Sequence, residues 1–391
     1  MAAPLDILSP PLPQIARPTL AALGIDDLAP GARVAVAMSG GVDSSTVAAL
    51  LVEAGFEVVG ITLQLYDAGV ARGRPGACCA GADIQDARAV ARRLGIPHYV
   101  LDFEARFKAD VIAPFAAAYA KGETPIPCIS CNRTVKFRDL LAVARDLGAV
   151  ALATGHYARR VAGANGAELH AAADRSRDQS YFLFATTADE LSFLRFPLGS
   201  ASTKAETRTH AARLGVAVAE KPDSQDLCFV PNGNYAGVVA KLRPDAVEPG
   251  EIVHVDGRVL GRHDGIIHFT VGQRRGVGVG GSDGAASERL YVVKIEPAAR
   301  RVIVGPRAAL ATRRARLVGL NWLGDPPVPG VTVEGEVKIR SAQPPVAARI
   351  ALGGDGAEVE FVAPEHGVAP GQACVVYDGT RVLGGGFVAR D

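Results

Sequence analysis

The sequence predicts an α/β domain with an open, mainly parallel sheet, followed by one or two small β domains. Short apolar runs alternate with helical patterns from residue 31 to about 215, and strands separated by helices are typical of parallel sheets. Beyond about residue 226, β-branched runs alternate with glycine, proline and aspartate, which indicates strands and turns. A chain of 391 residues also exceeds what one hydrophobic core usually supports.

Each element of the α/β part has its own signal. Continuous apolar runs predict buried strands at 34–38, 57–65, 97–102 and 149–155. Helical periodicity predicts helices near 44–54, 82–94, 104–120 and 132–147. In the β part, Asp-Gly pairs at 256–257 and 378–379 each join two apolar runs, which predicts two hairpins.

Composition excludes several classes of protein. Residues 1–30 are rich in proline and alanine and are predicted to be a mostly disordered extension. No run of 18 or more apolar residues occurs, so a membrane span is not expected. The 42 basic and 41 acidic residues give no overall basic field for a nucleic acid. The six cysteines lack the spacing of a disulfide scaffold, which favours a reducing cytoplasm.

The string SGGVDS, residues 39–44, lies where the first predicted strand turns into a helix. Adjacent glycines allow close approach to an anion, and serine hydroxyls and helix N-terminal amides donate to it. A capped strand-to-helix turn is the alternative interpretation. Since the string lacks the lysine and spacing of a Walker A loop, we expect it to bind pyrophosphate through backbone and hydroxyl donors.

Two cysteines stand out by their surroundings. Cys131, in the string CISC, precedes the predicted helix 132–147 and lies near Arg133 and Lys136, and both influences favour a thiolate. Cys228 lies where the α/β pattern ends, as a loop reaching over a site would. Small buried hydrophobes are the alternative, and this is the preferred interpretation of Cys78, Cys79 and Cys374.

Metal binding by these cysteines has weak support. A zinc site needs two further ligands, and the sequence has no second CxxC and no HxxxH. An iron-sulfur cluster held by Cys128, Cys131 and Cys228 stays open.

Seven strings, taken in order and spacing, resemble the tRNA-specific 2-thiouridylase family: SGGVDS, CISCNRTVKF, ATGHYAR, RDQSYFL, KPDSQDLCF, GRHDGIIHFTVGQRRG and GQACVVYDG. The resemblance runs from about residue 31 to the C-terminus. SGGxDS is shared with other ATP pyrophosphatases, and the pair Cys131 and Cys228 separates this chain from them. The resemblance implies an ATP pyrophosphatase-type α/β domain, similar to adenine nucleotide alpha-hydrolases, at 31–225. A small β-rich central domain at 226–297 and a C-terminal β barrel at 298–391 would follow.

The resemblance also implies a reaction. ATP, with Mg²⁺, would adenylate the C2 oxygen of the wobble uridine of a tRNA, and sulfur would replace it to give 2-thiouridine, AMP and pyrophosphate. Cys228 would carry a persulfide, Cys131 would act as nucleophile, and the two would end as a catalytic disulfide. No bound metal or permanent cofactor is expected, and a cysteine desulfurase or relay protein would supply sulfur. The implied ATP-binding residues are Ala37, Met38, Ser39, Gly40, Gly41, Val42, Asp43, Ser44, Leu63 and Gly155.

The resemblance marks tRNA-contacting positions at Ile126, Pro127, Cys128, His156, Arg177, Asp178, Gln179, Arg340, Ser341 and Gln372. Many relatives have Asn-Pro where this chain has Ile126-Pro127, so Ile126 offers no amide to the base. Local charge fits RNA, because residues 298–316 hold six arginines and no acid. A solvated β surface is the alternative explanation of that charge. A stacked base cannot be adenylated, so we expect the uridine to be extruded into a pocket between the domains.

Two other functions compete with this interpretation. One is a synthetase with the same loop that adenylates a small carbonyl substrate. The other is a non-enzymatic RNA-binding module with a relic nucleotide site.

Overall fold

The computed structural model describes residues 15–65, 81–222, 227–230, 233–279, 289–325, 331–353 and 356–390. Its strands are β1 Arg33–Ala37, β2 Glu57–Gln64, β3 His98–Asp102, β4 Ala151–Ala153, β5 Ala158–Gly163, β6 Gly166–Ala171, β7 Leu194–Arg195, β8 Gly250–His254, β9 Val259–His263, β10 Tyr291–Glu296, β11 Arg301–Gly305, β12 Ala311–Trp322, β13 Thr332–Lys338, β14 Val346–Leu352, β15 Gly356–His366, β16 Ala373–Asp378 and β17 Arg381–Val388.

Its helices are α1 Val42–Glu53, α2 Gly81–Leu94, α3 Glu104–Phe107, α4 Ala113–Ala120, α5 Pro127–Ser130, α6 Leu140–Asp146, α7 Ala188–Phe193, α8 Lys204–Arg213 and α9 Tyr235–Leu242. A π-helical segment, Lys108–Ile112, joins α3 to α4, and another, Cys131–Asp139, joins α5 to α6. Single 3₁₀ turns lie at Ser180–Leu183, Pro244–Ala246, Ile266–His268 and Arg307–Leu310.

The predicted open parallel sheet is confirmed. Its strand order is β3-β2-β1-β4-β7, and every pairing within it is parallel. Four of its strands lie at the predicted places, whereas β7 has two residues and is too short to leave a pattern. Because chain order reverses between β1 and β4, a crevice opens at their carboxyl ends, where ligands of such sheets collect.

The helix that carries the two-cysteine string begins earlier than predicted. It starts with α5 at Pro127 and continues without a break through α6, whereas the pattern predicted a start at residue 132. Proline suits a first helical position, because the amide that it lacks would have no intrahelical partner there. The predicted placement of Cys131 at the helix N-terminus is therefore corrected: Cys128 lies in the first turn and Cys131 one turn later.

Part of the predicted N-terminal extension is packed against the α/β domain. Leu23 and Ile25 are buried in the same apolar cluster as strand β1 and helix α1. Asp27 pairs with Arg195 at 2.8 Å. The prediction of disorder is thus wrong for residues 15–30, and residues 1–14 lie outside the described part of the chain.

The C-terminal half forms two β domains, as predicted. Strands β10-β11-β8-β9 form the central sheet, and strands β12 to β17 close into a barrel through the pairing of β12 with β17. The two Asp-Gly hairpins are confirmed as β8–β9 and β16–β17. An unpredicted hairpin of the α/β domain, β5–β6, extends the barrel sheet beside β17.

The α/β domain packs directly on both β domains. The buried hydroxyl of Tyr181 lies 2.9 Å from the carbonyl oxygen of Ala373 and 3.1 Å from that of Ile339, in the barrel. Phe115 of α4 shares an apolar cluster with Val239 and Ile267 of the central region. Within the described ranges, no helix has the length and apolar character needed to cross a membrane.

Candidate active site

The SGGVDS loop forms a compact turn between β1 and α1, in the crevice of the sheet. Gly40 has a φ of +76°, and a Cβ there would overlap the backbone carbonyl of Asp83. Gly41 is extended, and a Cβ there would meet little, the nearest atom being Ser39 Oγ at 3.4 Å. The first glycine is therefore required for packing, and the second leaves open space beside the backbone, as approach of an anion requires.

The hydroxyls of the loop are ordered around Ser44. Ser44 Oγ accepts from the amide of Ser39 at 3.1 Å and lies 3.2 Å from Ser39 Oγ. The amide of Gly41 has a longer contact, 3.4 Å, to Ser39 Oγ. The loop amides and hydroxyls thus lie around one small volume at the start of α1, where the helix dipole also favours an anion.

Asp43 carries an ion pair that the sequence pattern did not predict. Lys204, at the first position of α8, places Nζ 2.6 Å from both carboxylate oxygens of Asp43. The hydroxyl of Tyr157 donates to Asp43 Oδ1 at 2.9 Å and lies 2.9 Å from Thr207 Oγ1. A buried cation therefore lies beside the loop, although the string itself contains no lysine.

A second lysine reaches the loop from the other side. Lys221 Nζ donates to the carbonyl oxygen of Gly40 at 3.0 Å, and it pairs with Asp83 at 2.5 Å and with Asp86 at 2.6 Å. Burial opposes the charged form, but the hydrogen bonds that the ammonium donates to Asp83 and Asp86 outweigh it and raise the pKa of Lys221. Lys221 is therefore an ammonium at neutral pH.

The other predicted nucleotide positions lie around the same crevice. Gly155 follows β4, and a Cβ there would lie 2.8 Å from the amide nitrogen of Ser44. The amide of Met38 donates to the carbonyl oxygen of Ile61 at 2.8 Å, two residues before Leu63 on β2. The structure thus brings the ends of β1, β2 and β4 together at the loop, where the sequence predicted a nucleotide.

Cys131 and Cys228 are both associated with one large apolar cluster. Cys131 is buried in the core of the α/β domain, and Cys228 packs against that same cluster. The ring of Phe229 lies 5.1 Å from that of Phe115 and 5.9 Å from that of Phe107, which fixes the segment next to Cys228. Two residues 97 positions apart in sequence therefore border the same apolar core.

Of the four remaining cysteines, the structure describes two, Cys128 and Cys374. Cys374 is buried in β16, and burial raises the pKa of its thiol to about 12, so it is a core residue as predicted. Cys128 is half-buried. Cys78 and Cys79 lie outside the described residues.

Asn132 is a polar residue of this region that the sequence analysis missed. Its side chain is 4% exposed, and Nδ2 donates to the carbonyl oxygen of Phe182 at 3.1 Å. Its Oδ1 is buried and has no hydrogen-bond partner in the described part of the chain. The residue is adjacent to Cys131 in sequence, and no pattern signal distinguishes it from an ordinary helical asparagine.

His156 follows Gly155 and is half-buried. Its ring contacts those of Phe137 and Phe196 edge-on, and Nδ1 lies 2.8 Å from Thr154 Oγ1. Burial, together with the charge of Lys136, lowers the pKa of His156 to about 3. It is therefore neutral at physiological pH, and any contact that it makes with RNA is a hydrogen bond and not an ion pair.

Within residues 177–179, the side chains have different environments. Arg177 is exposed. Asp178 accepts from Ser180 Oγ at 3.0 Å and from the amide of Ala172 at 3.0 Å, and Gln179 Oε1 accepts from the amide of Tyr157 at 2.9 Å. Asp178 and Gln179 hold the turn, which leaves Arg177 as the side chain presented to solvent.

Comparisons with known proteins agree with this architecture. Family models match residues 32–232 as a tRNA methyl transferase HUP domain, 238–306 as a tRNA methyl transferase PRC-barrel domain and 313–388 as an aminomethyltransferase beta-barrel domain. The chain is 64% identical over 372 residues to the tRNA-specific 2-thiouridylase MnmA of Rhodospirillum centenum, covering 94% of each chain. It is 58% identical to that of Paracoccus denitrificans, over 95% of each chain.

The chain belongs to the tRNA-specific 2-thiouridylase family. The three matched models confirm the predicted order of α/β domain, central β domain and C-terminal barrel. A solved 4-thiouridine synthetase–RNA complex with bound ATP is 17% identical over 55% of this chain and 51% of that chain, with a TM-score of 0.35. That likeness is too weak to bear on function.

Of the three predicted base-contacting residues 126–128, Ile126 and Pro127 line a space between the α/β domain and the barrel, and Cys128 does not. A pocket of about 430 Å³ lies between α4, the turn before α5 and strands β12 and β17 of the barrel. Ile126, Pro127 and Ser130 line one wall, and Arg316 and Phe387 belong to the opposite wall. The amide of Thr124 donates to the carbonyl oxygen of Pro370 at 2.7 Å, which holds this turn against the barrel.

The barrel positions that the thiouridylase resemblance marks are half-buried. Arg340 donates to the backbone carbonyls of His366 and Gly367, and Ser341 follows it. Gln372 Oε1 is buried and has no hydrogen-bond partner in the described ranges. Gln372 therefore offers an unused acceptor next to Gly371, which lines the pocket.

The arginines of 298–316 are partly neutralised by carboxylates. Arg300 pairs with Glu248 at 2.7 Å, Arg301 with Glu251 at 3.2 Å and Arg314 with Glu360 at 3.2 Å. Arg307, Arg313 and Arg316 form no ion pair with any described residue. The positive charge available to RNA on this thiouridylase is therefore smaller than the six arginines of the sequence suggested.

The described residues contain no group of three or more His, Cys, Asp or Glu side chains arranged to hold a metal ion. The alternative of an iron-sulfur cluster on Cys128, Cys131 and Cys228 stays a hypothesis.

Proposed function

We propose that the chain is a tRNA 2-thiouridylase, which replaces the C2 oxygen of the wobble uridine of tRNA by sulfur at the expense of ATP. The observation that carries the proposal is that two cysteines from distant segments border one apolar core, in a domain whose sheet carries the SGGVDS loop at the end of β1. Membership of a family whose curated relatives are tRNA-specific 2-thiouridylases supports it.

In the first step, the C2 oxygen of the uridine attacks the α-phosphorus of ATP, and pyrophosphate leaves. The amide of Gly41, the hydroxyls of Ser39 and Ser44 and the start of α1 supply donors for the departing charge. Mg²⁺, when bound, would neutralise phosphate charge, and it usually keeps waters and phosphate oxygens as ligands. The positive end of α1 and the buried ammonium of Lys204 also stabilise the negative charge of the phosphates.

In the second step, the terminal sulfur of a Cys228 persulfide attacks C2, and AMP leaves with the former carbonyl oxygen. The Cys131 thiolate then attacks the Cys228 sulfur, breaking the persulfide bond and leaving sulfur on C2. Attack by Cys131 before transfer, which releases sulfide as the nucleophile, gives the same products. Both routes end in a Cys131–Cys228 disulfide, which an external thiol must reduce.

The uridine must leave the anticodon stack to reach this crevice. The pocket between α4 and the barrel supports extrusion, because Ser130 on its wall immediately precedes Cys131. Ile126 gives that wall an apolar side chain, so base contact there is by packing and backbone groups. Sulfur would arrive from a cysteine desulfurase or a relay protein at Cys228, which is half-buried.

The test is mass analysis of tRNA nucleosides after incubation with ATP, Mg²⁺ and a persulfide source. We expect 2-thiouridine from the wild type and from Cys374→Ala, which removes a buried thiol of the barrel. Cys131→Ser and Cys228→Ser should form none. Absence of 2-thiouridine from the wild type would refute the proposal.

The same assay separates the competing functions. A synthetase for a small carbonyl compound would keep its activity in both serine variants. An RNA-binding module with a relic nucleotide site would bind tRNA but release no pyrophosphate on adding it. Iron and sulfide analysis after anaerobic purification tests the cluster alternative.

A further inference from the structure

Lys338, on strand β13 of the barrel, carries a buried charge that the protein itself pairs poorly. Its side chain is 9% exposed, and Asp178 Oδ2 lies 3.9 Å from its Nζ, beyond the distance of a hydrogen bond. The centroid of the Tyr377 ring lies 5.9 Å from the same atom. An ammonium has three N–H donors, and this one makes no hydrogen bond with any residue that the structure describes.

Asp178 is held by its own turn and not by the lysine. Its Oδ1 accepts from the amides of Ala172 and Ser180 at 3.0 and 3.1 Å, and its Oδ2 accepts from Ser180 Oγ at 3.0 Å. These three bonds satisfy the carboxylate locally. Attraction without a hydrogen bond therefore offsets only part of the cost of burying the Lys338 ammonium.

A second cation, that of Arg175, lies near the first. Arg175 is exposed on the turn before Asp178, and its Nη2 reaches the carbonyl oxygen of Gly379 at 3.4 Å, between β16 and β17. Burial lowers the pKa of Lys338; the charge of Asp178 opposes this effect and that of Arg175 adds to it. Two cations and one carboxylate thus meet where the α/β domain contacts the barrel, which leaves an excess of positive charge.

A phosphate group of RNA fits this excess charge. Phosphate is an anion with several acceptor oxygens, and lysine binds it as a point charge. A buried ammonium that lacks acceptors in the protein would gain them from such a ligand. Arg177 and Arg340, each two residues further along the chain from Arg175 and Lys338, are among the positions that the thiouridylase resemblance marks for tRNA. Neither Lys338 nor Arg175 is among them.

We propose that Lys338 and Arg175 form a binding site for one phosphate of the tRNA backbone, where the turn 174–180 meets strand β13 and the β16–β17 hairpin. The phosphate supplies the acceptors that the ammonium lacks, and it is held by the α/β domain and the barrel together. Such a contact fixes the position of the RNA without reading its sequence. The inference rests on the proposed function, because the RNA that it binds is the substrate of that reaction.

Filter binding of tRNA at several salt concentrations tests the site. In Lys338→Met and in Arg175→Gln, we expect the affinity to fall about tenfold and the slope of log affinity against log salt to fall by about one. The control is Lys294→Met, which removes an exposed lysine that Glu296 pairs at 2.9 Å; its slope should match that of the wild type. The affinity for ATP should be the same in all three variants, because the site holds RNA and not the nucleotide.

A purely structural role of Lys338 predicts a different pattern. It would lower the midpoint of urea unfolding in Lys338→Met and leave tRNA binding unchanged in Arg175→Gln, whose side chain is exposed. The proposed site predicts a nearly unchanged midpoint for Lys338→Met, because Asp178 keeps its three hydrogen bonds. Arg175→Gln keeps the test decisive should the methionine variant not fold.

The outcomes separate this inference from the proposed function. A wild-type slope in Arg175→Gln, or in a folded Lys338→Met, would overturn the site. A loss of ATP affinity as large as the loss of tRNA affinity would assign the lysine to the nucleotide and overturn it as well. A wild type that binds tRNA but forms no 2-thiouridine would refute the proposed function and leave the phosphate site supported by the slopes.

Discussion

The ion pair between Lys204 and Asp43 places a buried charge directly beside the phosphate loop. Lys204→Met would leave the carboxylate of Asp43 without its cation and turn the loop repulsive to phosphate. We expect the affinity for ATP to fall about tenfold and the free energy of unfolding to fall by about 1–3 kcal/mol. Equilibrium ATP binding and urea unfolding measure the two effects.

The matched control for this change is Lys241→Met on α9, whose side chain is exposed. Both variants lose one positive charge, and only the first loses the pairing with Asp43. Equal ATP affinities in the two variants would contradict a role for Lys204 at the loop.

His156 should make the stability of the folded protein depend on pH. In the unfolded chain this side chain binds a proton below about pH 6.5. In the folded protein its pKa is lowered to about 3, so it stays neutral until the pH falls that far. Stability from this residue is therefore complete above pH 6.5 and is lost as the pH falls toward 3. Urea unfolding from pH 7 to pH 4 should show a smaller loss in His156→Asn than in the wild type, and parallel losses would contradict this.

At the scale of single residues, the sequence predicts the phosphate loop SGGVDS but not the two lysines beside it, Lys204 and Lys221. SGGVDS could be identified because glycine, serine and a helix start are adjacent in the chain. Lys204 and Lys221 lie 161 and 181 residues from their loop partners, and neither local string indicates a phosphate site. Only the packing of α8 and of the segment before Cys228 brings them there.

At the scale of structural elements, the position of the short segment that carries Cys228 depends on the packing of one aromatic ring, that of Phe229. Phe229→Ala removes the edge-on contacts with Phe107 and Phe115, so the persulfide should lose its fixed position. We expect sulfur transfer to slow about tenfold to a hundredfold, while tRNA-dependent pyrophosphate release changes little. Single-turnover assays of both products measure this.

The control for that variant is Phe229→Leu, which keeps an apolar side chain of similar volume. It should retain most of the transfer rate. If alanine and leucine behave alike, the aromatic contacts are not what positions Cys228.

The helix of Cys131 shows why element boundaries resist prediction. The pattern indicated a start at residue 132 because Pro125 and Pro127 read as a turn. The structure uses Pro127 as the first helical residue, which the rule for helix starts permits but does not require. Cys128 and Cys131 thus lie on one helix, three residues apart.

Over the whole molecule, the arginines that pair with no carboxylate of the described residues, Arg307, Arg313 and Arg316, predict where RNA is held. Arg313→Gln should weaken tRNA binding and reduce the slope of log affinity against log salt by about one. Arg300→Gln should have little effect, because Glu248 already neutralises that charge. Filter binding at several salt concentrations gives both slopes, and equal slopes would contradict the assignment.

The order of the domains could be predicted from the sequence, because strand and helix patterns change near residue 226. Their contacts could not be predicted. Nothing in the string of β5 or β6 shows that this hairpin would join the barrel, since it pairs with a strand more than 200 residues later. Such a pairing depends on the shape of two folded domains.

The pairing of β6 with β17 has a consequence for biosynthesis. Strand β17 emerges from the ribosome after every other described strand, and the barrel closes through it. The α/β domain can bind a nucleotide earlier, but the side of the crevice that meets the barrel is completed only then. A nascent chain held before β17 should therefore hydrolyse or bind ATP without engaging tRNA, so the protein gains its RNA partner last.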